Sequence, residues 1–289
     1  MNDFLKNRQR QPKLFIDLPS YGKYYDDSVV QDAQYTSLPV FGMNAMDEIM
    51  LKTPDALFTG ESTALIIKSC IPAIIDPWKL VGYDIDHVLL SIRIATYGDK
   101  MPITSNCPVC RTETTVEINV NKVLDTFLSL KNENFVTIED LRFNLKPLTY
   151  RAMTDFSHKQ YSLDKQLVQI SQSKDDDNKE QMQQEIIKKL TNLNLEVAIA
   201  YVNSIQDVNA EDNTEYNVES IQEFILNNDA EFFNKLVKKV KEMTSAWSLP
   251  SFDISCEDET CDSDWKTQLK VDYSSFFGTN SFHSRNLIS

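Results

Sequence analysis

The spacing of apolar and polar positions changes character along the chain and divides it into five segments. Apolar residues that recur every three or four positions are typical of helices, whereas alternation at every second position is typical of strands. The pattern predicts an extended N-terminal arm (1–42), a helical core (43–100), a β-hairpin region (101–148), a helical and acidic region (149–250), and a second strand pair with a C-terminal tail (251–289). The predicted fold class is therefore α+β and predominantly helical, with helical-bundle regions and β-hairpin knuckles.

The helical core has recognisable start and stop signals. Asn44 is placed to cap a first helix, and Asp84 to cap a helix that runs from Ile85 to Tyr97. In the latter helix Val88, Ile92 and Ala95 follow the i, i+4, i+7 spacing of one apolar face. Gly98 is a natural stop, because glycine readily adopts the backbone conformation that ends a helix. Arg93 lies on this mostly apolar helix, and we expect it to pair with Asp47 or Glu48.

Strand signals follow the helical core. Thr114, Val116, Ile118 and Val120 alternate with other residues, which predicts a half-exposed strand after Arg111. A second hairpin is predicted from Phe135–Thr137 and Leu141–Pro147. Ser251–Cys256 and Trp265–Asp272 repeat the design of two strand-like arms around a cysteine pair. Four apolar residues of the tail predict that it docks on the domain or on a partner, namely Phe276, Phe277, Phe282 and Leu287.

Between the two strand regions the pattern is again helical. A first helical run ends near Ile170, and a long helix is predicted from Lys179 to about Val202. The stretch 171–180 contains no apolar residue, which is typical of a solvated loop or of the turn of a helical hairpin. Two further helices are predicted at Val218–Leu226 and Asp229–Trp247, with Asn217 as the cap of the former.

Four of the five cysteines form two close pairs that carry metal-site chemistry. Cys107 and Cys110 are spaced as Cys-x-x-Cys, and four residues separate Cys256 from Cys261. Each pair lies between strand-like arms, so the two together predict zinc-ribbon-like knuckles whose four thiolates hold one structural zinc ion. Disulfides or unliganded thiols are the alternatives, and the 145 residues between the pairs (111–255) are unusual for a zinc ribbon. Cys70 is expected to be a small buried residue.

The charge balance excludes several kinds of partner. The formal net charge of −14 argues against binding to nucleic acid or resting on an anionic membrane, because both rely on Lys and Arg. A basic stretch, 6–13, is expected to be a solvated, mobile arm. No run approaches the ~20 apolar residues of a membrane span, and no secretion signal opens the chain. We therefore expect a protein that folds in a reducing cytosol.

Catalytic motifs are missing from the sequence. The three histidines, His87, His158 and His283, are isolated from one another. His87 is expected to occupy a surface or hydrogen-bonded position. Zincin, Walker, dinucleotide-binding and nucleophile-elbow motifs do not occur. We therefore expect a protein that is not an enzyme.

Several motifs occur together in an order that resembles one protein family. A short helix ending in Cys70-Ile71 comes first, and the pattern Asp-x4-Leu-Leu-x2-Arg-Ile-x2-Tyr-Gly spans 84–98. Cys-Pro-x-Cys follows at 107–110, and Leu-Pro-Ser-Tyr-Gly precedes the set at 18–22. In these features the chain resembles the baseplate hub proteins of T-even-type contractile-tailed phages.

The resemblance implies a viral structural or assembly protein that is made in the host cytoplasm. In one version it is a permanent component of the virion tail baseplate and contacts other tail and hub proteins. In the other it is a tail-assembly chaperone that holds the hub or tape-measure protein and is absent from the mature virion. A zinc-stabilised regulatory or enzymatic protein is the third reading.

Overall fold

The computed structural model describes residues 10–51, 59–128, 134–172, 178–210, 213–245, 247, 249–258, 260–268 and 282–283. These residues form eight α-helices and eleven strands, so the α+β class is confirmed. The expected predominance of helix is not confirmed, because four β-sheets accompany the helices. The chain divides into two compact units: the first comprises Met1–Leu130 and Trp247–Ser289, and the second is Lys131–Ala246. The second unit is thus inserted between two parts of the first.

The described residues of the first unit form three small sheets and four helices. Its helices are α1 (Ala45–Leu51), α2 (Glu61–Cys70), α3 (Gly82–Tyr97) and α4 (Val120–Leu128). Its strands are β1 (Pro12–Ile16), β2 (Leu38–Phe41), β3 (Lys100–Asn106), β4 (Glu113–Asn119), β9 (Ser251–Ser255), β10 (Asp264–Gln268) and β11 (Phe282–His283). The pairs β1–β2, β3–β4 and β9–β10 are antiparallel, and β11 lies parallel to β3.

Helix α3 is the centre of this unit, because nearly all of its first three turns is buried. The predicted Asp84 cap is wrong: α3 begins at Gly82, and Asp84 lies fully buried in its first turn. Its carboxylate accepts hydrogen bonds from the Ser20 backbone N–H at 2.9 Å, the Ser20 hydroxyl and the Tyr25 hydroxyl. Three donors from the loop after β1 thus replace the water that a buried carboxylate loses. The predicted stop is confirmed, since the Gly98 N–H donates to the Ile94 carbonyl.

The basic stretch does not form a mobile arm where the structure describes it. Arg10 donates to the Gly42 carbonyl at 2.9 Å and the Ser69 hydroxyl at 3.0 Å, and it lies 3.5 Å from the Asp47 carboxylate. Asp47 is buried in α1, and a nearby guanidinium compensates its charge. Arg93, which was expected near Asp47 or Glu48, lies over the Tyr97 ring at 5.5 Å. Residues 1–9 lie outside the described part of the chain.

Two other sequence predictions for this unit are confirmed. The Asn44 side chain caps α1 by accepting hydrogen bonds from the N–H groups of Met46 at 2.8 Å and Asp47 at 3.0 Å. The backbone of β11 pairs with Ile103 and Thr104, so this part of the tail docks as expected. The other tail residues named above, Phe276, Phe277 and Leu287, lie outside the described residues.

In the second unit, the part of the chain that the structure describes forms one antiparallel sheet and four helices. The sheet has the order β5 (Phe135–Ile138), β6 (Leu141–Leu145), β7 (Val202–Asp207), β8 (Thr214–Glu215). The helices are α5 (Tyr150–Gln172), α6 (Lys179–Ala200), α7 (Val218–Asn227) and α8 (Ala230–Ser245). The core lies among the sheet, the end of α6, and the inner faces of α7 and α8. Its members include Val136, Phe143, Ile199, Ile205, Ile221, Ile225, Phe232 and Leu236.

The prediction that 149–250 is helical misses two strands. Strand β7 pairs with β6, and β8 pairs with β7. The stretch Val202–Asp207 comes soon after a long helix, and its two apolar residues, Val202 and Ile205, do not alternate as in a strand. Its partner in the sheet therefore decides its conformation. The Asn217 cap is confirmed, because its side chain accepts a hydrogen bond from the Ser220 N–H at 2.8 Å.

Helices α5 and α6 form an antiparallel hairpin. Lys159 of α5 forms an ion pair with Glu196 of α6 at 2.9 Å, and Lys179 donates to the Ser171 carbonyl at 2.7 Å. Of the polar stretch 171–180, Ser171 and Gln172 end α5, and Lys179 and Glu180 begin α6. Residues 173–177 of this stretch lie outside the described part of the chain.

Candidate metal centre

The first cysteine pair lies in the turn that joins β3 to β4. Strand pairing ends at Asn106 and Glu113, and the Cys107 N–H donates to the Thr112 carbonyl at 2.9 Å. Arg111 adopts a left-handed backbone with φ of 63°, which brings the turn back into β4. The turn buries Cys107 and leaves Cys110 exposed.

The second pair occupies the loop between β9 and β10. Strand pairing ends at Ser255 and Asp264, and the Cys256 N–H donates to the Ser263 carbonyl at 3.0 Å. Inside the loop the Cys261 N–H donates to the Asp258 carbonyl at 2.9 Å. Both cysteine side chains are half-buried.

The two loops bring all four sulfur atoms together. The Sγ atoms of Cys107, Cys110, Cys256 and Cys261 lie within 4.8 Å of one another. Cys107 is 3.8 Å from Cys261, and Cys110 is 3.4 Å from Cys256. Four thiolates bound to zinc at about 2.3 Å in a tetrahedron are separated from one another by about 3.8 Å. The cluster therefore has nearly the dimensions that one tetrahedral zinc ion requires.

Polar contacts between the β3–β4 hairpin and the β9–β10 hairpin hold the two cysteine-bearing loops in place. Glu257 accepts a hydrogen bond from the Thr115 N–H at 3.3 Å, and its own N–H donates to the Thr114 hydroxyl at 3.4 Å. The Trp265 indole N–H donates to the Ser105 hydroxyl at 3.1 Å. The sequence gives no indication of these contacts, because nothing in the spacing of single polar residues reveals a partner about 140 positions away.

The electrostatics of the cluster differ between the two pairs. Burial alone would raise the pKa of the Cys107 thiol, but the backbone N–H groups of Cys110 and Val109 outweigh it and lower the pKa to about 6. Hydrogen bonds from Thr112 lower the pKa of Cys110. The pKa of Cys261 is raised to about 12 by the hydrogen bond between Cys261 and Cys110, together with burial. The four thiols therefore do not all ionise together without a cation, and a bound divalent cation favours the thiolate form of each.

Other groups that the sequence analysis considered lie apart from this cluster. Cys70 is buried 3.9 Å from Asp47, and burial together with that carboxylate raises the pKa of the thiol to about 12. This agrees with the expected small buried residue. His87 is not at the surface as one expectation had it: it is buried with its ring edge-on to Phe127 at 5.9 Å, and its Nδ1 atom has no hydrogen-bond partner among the described residues. His158 lies half-buried on α5. The side chain of His283 lies outside the described part of the structure.

The comparison with known protein families identifies the kind of protein. A family model described as "T4 bacteriophage base plate protein" matches residues 42–278. The chain belongs to this family. The resemblance carried by the motifs between 18 and 110 is thereby confirmed. No curated protein and no solved structure gives a significant match.

The match covers most of this baseplate protein, including all four clustered cysteines and the whole of the second unit. Membership of the family places the chain among proteins of the phage tail baseplate, where other baseplate proteins are its partners. Within the described residues, no helix has the length and apolarity that a membrane crossing requires.

Proposed function

We propose that the protein is a non-enzymatic structural component of the baseplate hub, which takes part in hub assembly through protein–protein contacts. The observation that carries this proposal is the family match, which extends over both units of the chain rather than over one motif. The protein is made and assembled in the host cytoplasm and stays in the virion tail baseplate. Its partners are other hub and tail proteins, and the tape-measure protein is a candidate among them.

Quantitative mass spectrometry of purified virus particles tests this role. A structural component is present in the mature particle at a small fixed ratio to a tail protein of known copy number. Absence from the particle, together with abundance in infected cells, would overturn the proposal in favour of a tail-assembly chaperone. In that case the hub and tape-measure proteins are the first binding partners to examine.

We further propose that the four clustered cysteines bind one structural zinc ion. The observation that carries this proposal is the convergence of four sulfur atoms from two loops that are 145 residues apart in sequence (111–255). Four thiolate ligands complete a tetrahedron and leave no open position for a substrate, so the ion serves stability rather than catalysis. The site joins the two hairpins in the manner of a zinc ribbon.

Metal analysis of the purified full-length protein tests the zinc site. We expect about one zinc ion per chain, since four thiolates make one tetrahedral site. Cys110→Ser removes one ligand and lowers the zinc content, whereas Cys70→Ala, which changes the cysteine outside the cluster, leaves it unchanged. A folded, metal-free wild-type protein with all four thiols titratable would contradict the proposal.

A further inference from the structure

The two helices of the α5–α6 hairpin meet through an apolar inner face, whereas the outer face of α5 leaves large apolar side chains exposed. The inner seam uses half-buried apolar residues of α5 at three- and four-residue spacing, Phe156, Leu163, Leu167 and Ile170. Helix α5 packs against α6, whose buried and half-buried apolar residues include Ile186, Leu190, Leu193 and Val197. Over its 23 residues α5 fully buries only Tyr150. The hairpin therefore gains little burial beyond this seam.

Two large apolar side chains lie on the outer face of α5. Tyr161 is 54% exposed and Val168 is 52% exposed. They are seven residues apart, so they lie on the same side of the helix, about 10 Å from each other along its axis. Asp164 and Lys165, both exposed, lie between them at the i+3 and i+4 positions. The four residues form a diamond-shaped patch with apolar ends and opposite charges on its two flanks.

We propose that this patch, Tyr161–Asp164–Lys165–Val168, is a self-association surface at which the α5 helices of two copies of the chain pack in parallel. The inference is independent of the proposed zinc site, since it concerns only the second unit.

The flanking charges favour a second copy of the chain as the partner, and they favour parallel rather than antiparallel packing of the two α5 helices. When two identical helices pack in parallel about a two-fold axis along their length, the left flank of one faces the right flank of the other. Asp164 of each copy then faces Lys165 of the other, which gives two ion pairs around the apolar contact. Antiparallel packing about the centre of the patch would instead place Asp164 against Asp164 and Lys165 against Lys165. Charge complementarity therefore favours the parallel pair.

The charges on helices α5 and α6 nearly balance, so two copies of this strongly acidic protein can meet at the hairpin without strong repulsion. The chain carries a net charge of −14, which opposes association of two copies through most of its surface. The described helices of the hairpin are nearly balanced, with six basic and five acidic residues. The basic residues are Arg151, Lys159, Lys165, Lys179, Lys188 and Lys189, and the acidic ones are Asp155, Asp164, Glu180, Glu185 and Glu196.

Sedimentation equilibrium of the full-length protein as purified tests the proposal. One helix pair buries less than a standard interface, so we expect a dimer with a dissociation constant on the order of 10 µM. Val168→Glu places two carboxylates against each other and should weaken the dimer at least about tenfold. The matched control is Gln169→Glu, which adds the same charge to the next residue, about 100° around the helix, and should leave the dissociation constant within about twofold. A monomer at ~100 µM, or a dimer that Val168→Glu does not weaken, would overturn the proposal.

Charge exchange and cross-linking test the parallel direction. Lys165→Asp should weaken the dimer, and the double variant Asp164→Lys/Lys165→Asp should restore it, because the exchanged flanks are again complementary. Val168→Cys should form a disulfide-linked dimer under mild oxidation with oxidised glutathione, because residue 168 faces its own copy only in the parallel pair. Failure of the double variant to restore the dimer, or cross-linking no greater than that of the wild-type chain, would contradict the proposed arrangement.

Discussion

At the scale of single residues, two buried titratable groups of α3 act in opposite directions on stability. Burial raises the pKa of Asp84 to about 6, although hydrogen bonds from Ser20 and Tyr25 oppose the shift. Burial also lowers the pKa of His87 to about 4, so that the neutral imidazole is the favoured form. Asp84 therefore binds a proton more readily in the folded state than in the unfolded state, and His87 binds one less readily.

The effect of His87 can be measured through the pH dependence of unfolding. As the pH falls from about 6.5 towards 4, the unfolded chain takes up a proton that the folded chain resists, so His87 costs stability. At about 1.4 kcal/mol per pH unit, the cost approaches about 3 kcal/mol near pH 4. The variant His87→Leu should therefore gain stability relative to the wild type as the pH falls from 7 to 5. Urea unfolding at a series of pH values measures this difference, and a difference that does not change with pH would contradict it.

The variant Asp84→Asn is the matched control, because it should show the opposite slope. The folded-state pKa of Asp84 is raised, so its contribution is most favourable below about pH 3.8 and is lost as the pH rises through about 6. The wild type should therefore gain stability relative to this variant as the pH falls from 7 to 5. Equal slopes for the two variants would show that the buried environments differ from those described.

Asp84 also shows where sequence reasoning stops at this scale. A cap such as Asn44 or Asn217 can be predicted, because its hydrogen bonds go to the next few residues of the chain. Asp84 has the same local pattern, but its partners, Ser20 and Tyr25, lie about 60 residues away. The pattern therefore suggests a cap where the fold instead uses a buried carboxylate to hold a distant loop.

At the scale of elements, cysteine spacing predicted both hairpins, and the structure explains why they meet. Each pair marks a turn between antiparallel strands, and this local geometry follows from the sequence. The contact between the hairpins depends on Glu257, Trp265 and their partners, which no local pattern reveals. Strand β7 was missed for the same reason, because its pairing with β6 decides its conformation.

Removal of one cysteine of the cluster should loosen the β9–β10 hairpin. In Cys107→Ser only three thiols of the cluster remain, and the binding energy of the proposed zinc ion no longer contributes to folding of the site. We expect cleavage by a protease within 251–268 to become about tenfold faster or more, as local opening becomes easier. Cys70→Ala should leave this region as resistant as in the wild type. Unchanged resistance in Cys107→Ser would mean that Glu257 and Trp265 alone hold the hairpin.

At the scale of the whole molecule, the four-cysteine cluster belongs to one unit only. Both cysteine pairs lie in the first unit, and residues 131–246 contain no cysteine. The sequence predicted the change from strands to helices near 149, but the compact unit begins earlier, because β5 and β6 form its core with β7 and α8. A domain boundary depends on packing partners, so a change of local pattern does not fix it.

Replacement of 131–246 by a short Gly-Ser linker should leave the proposed zinc site intact. The shortened chain should still bind about one zinc ion, because all four ligands remain. The second unit produced by itself should bind none. Metal analysis combined with circular dichroism measures both outcomes. A folded but zinc-free shortened chain would show that the second unit is needed to bring the hairpins together.

The position of the second unit between the two cysteine pairs also sets the order of events during synthesis. Cys107 and Cys110 leave the ribosome first, and 145 further residues (111–255) must be translated before Cys256 follows. At 5–20 residues per second this interval lasts on the order of ten seconds, enough time for the inserted unit to fold. A chain that stops before Cys261 can never assemble the four-sulfur cluster. Completion of the cluster thus marks a polypeptide that has been translated at least as far as Cys261.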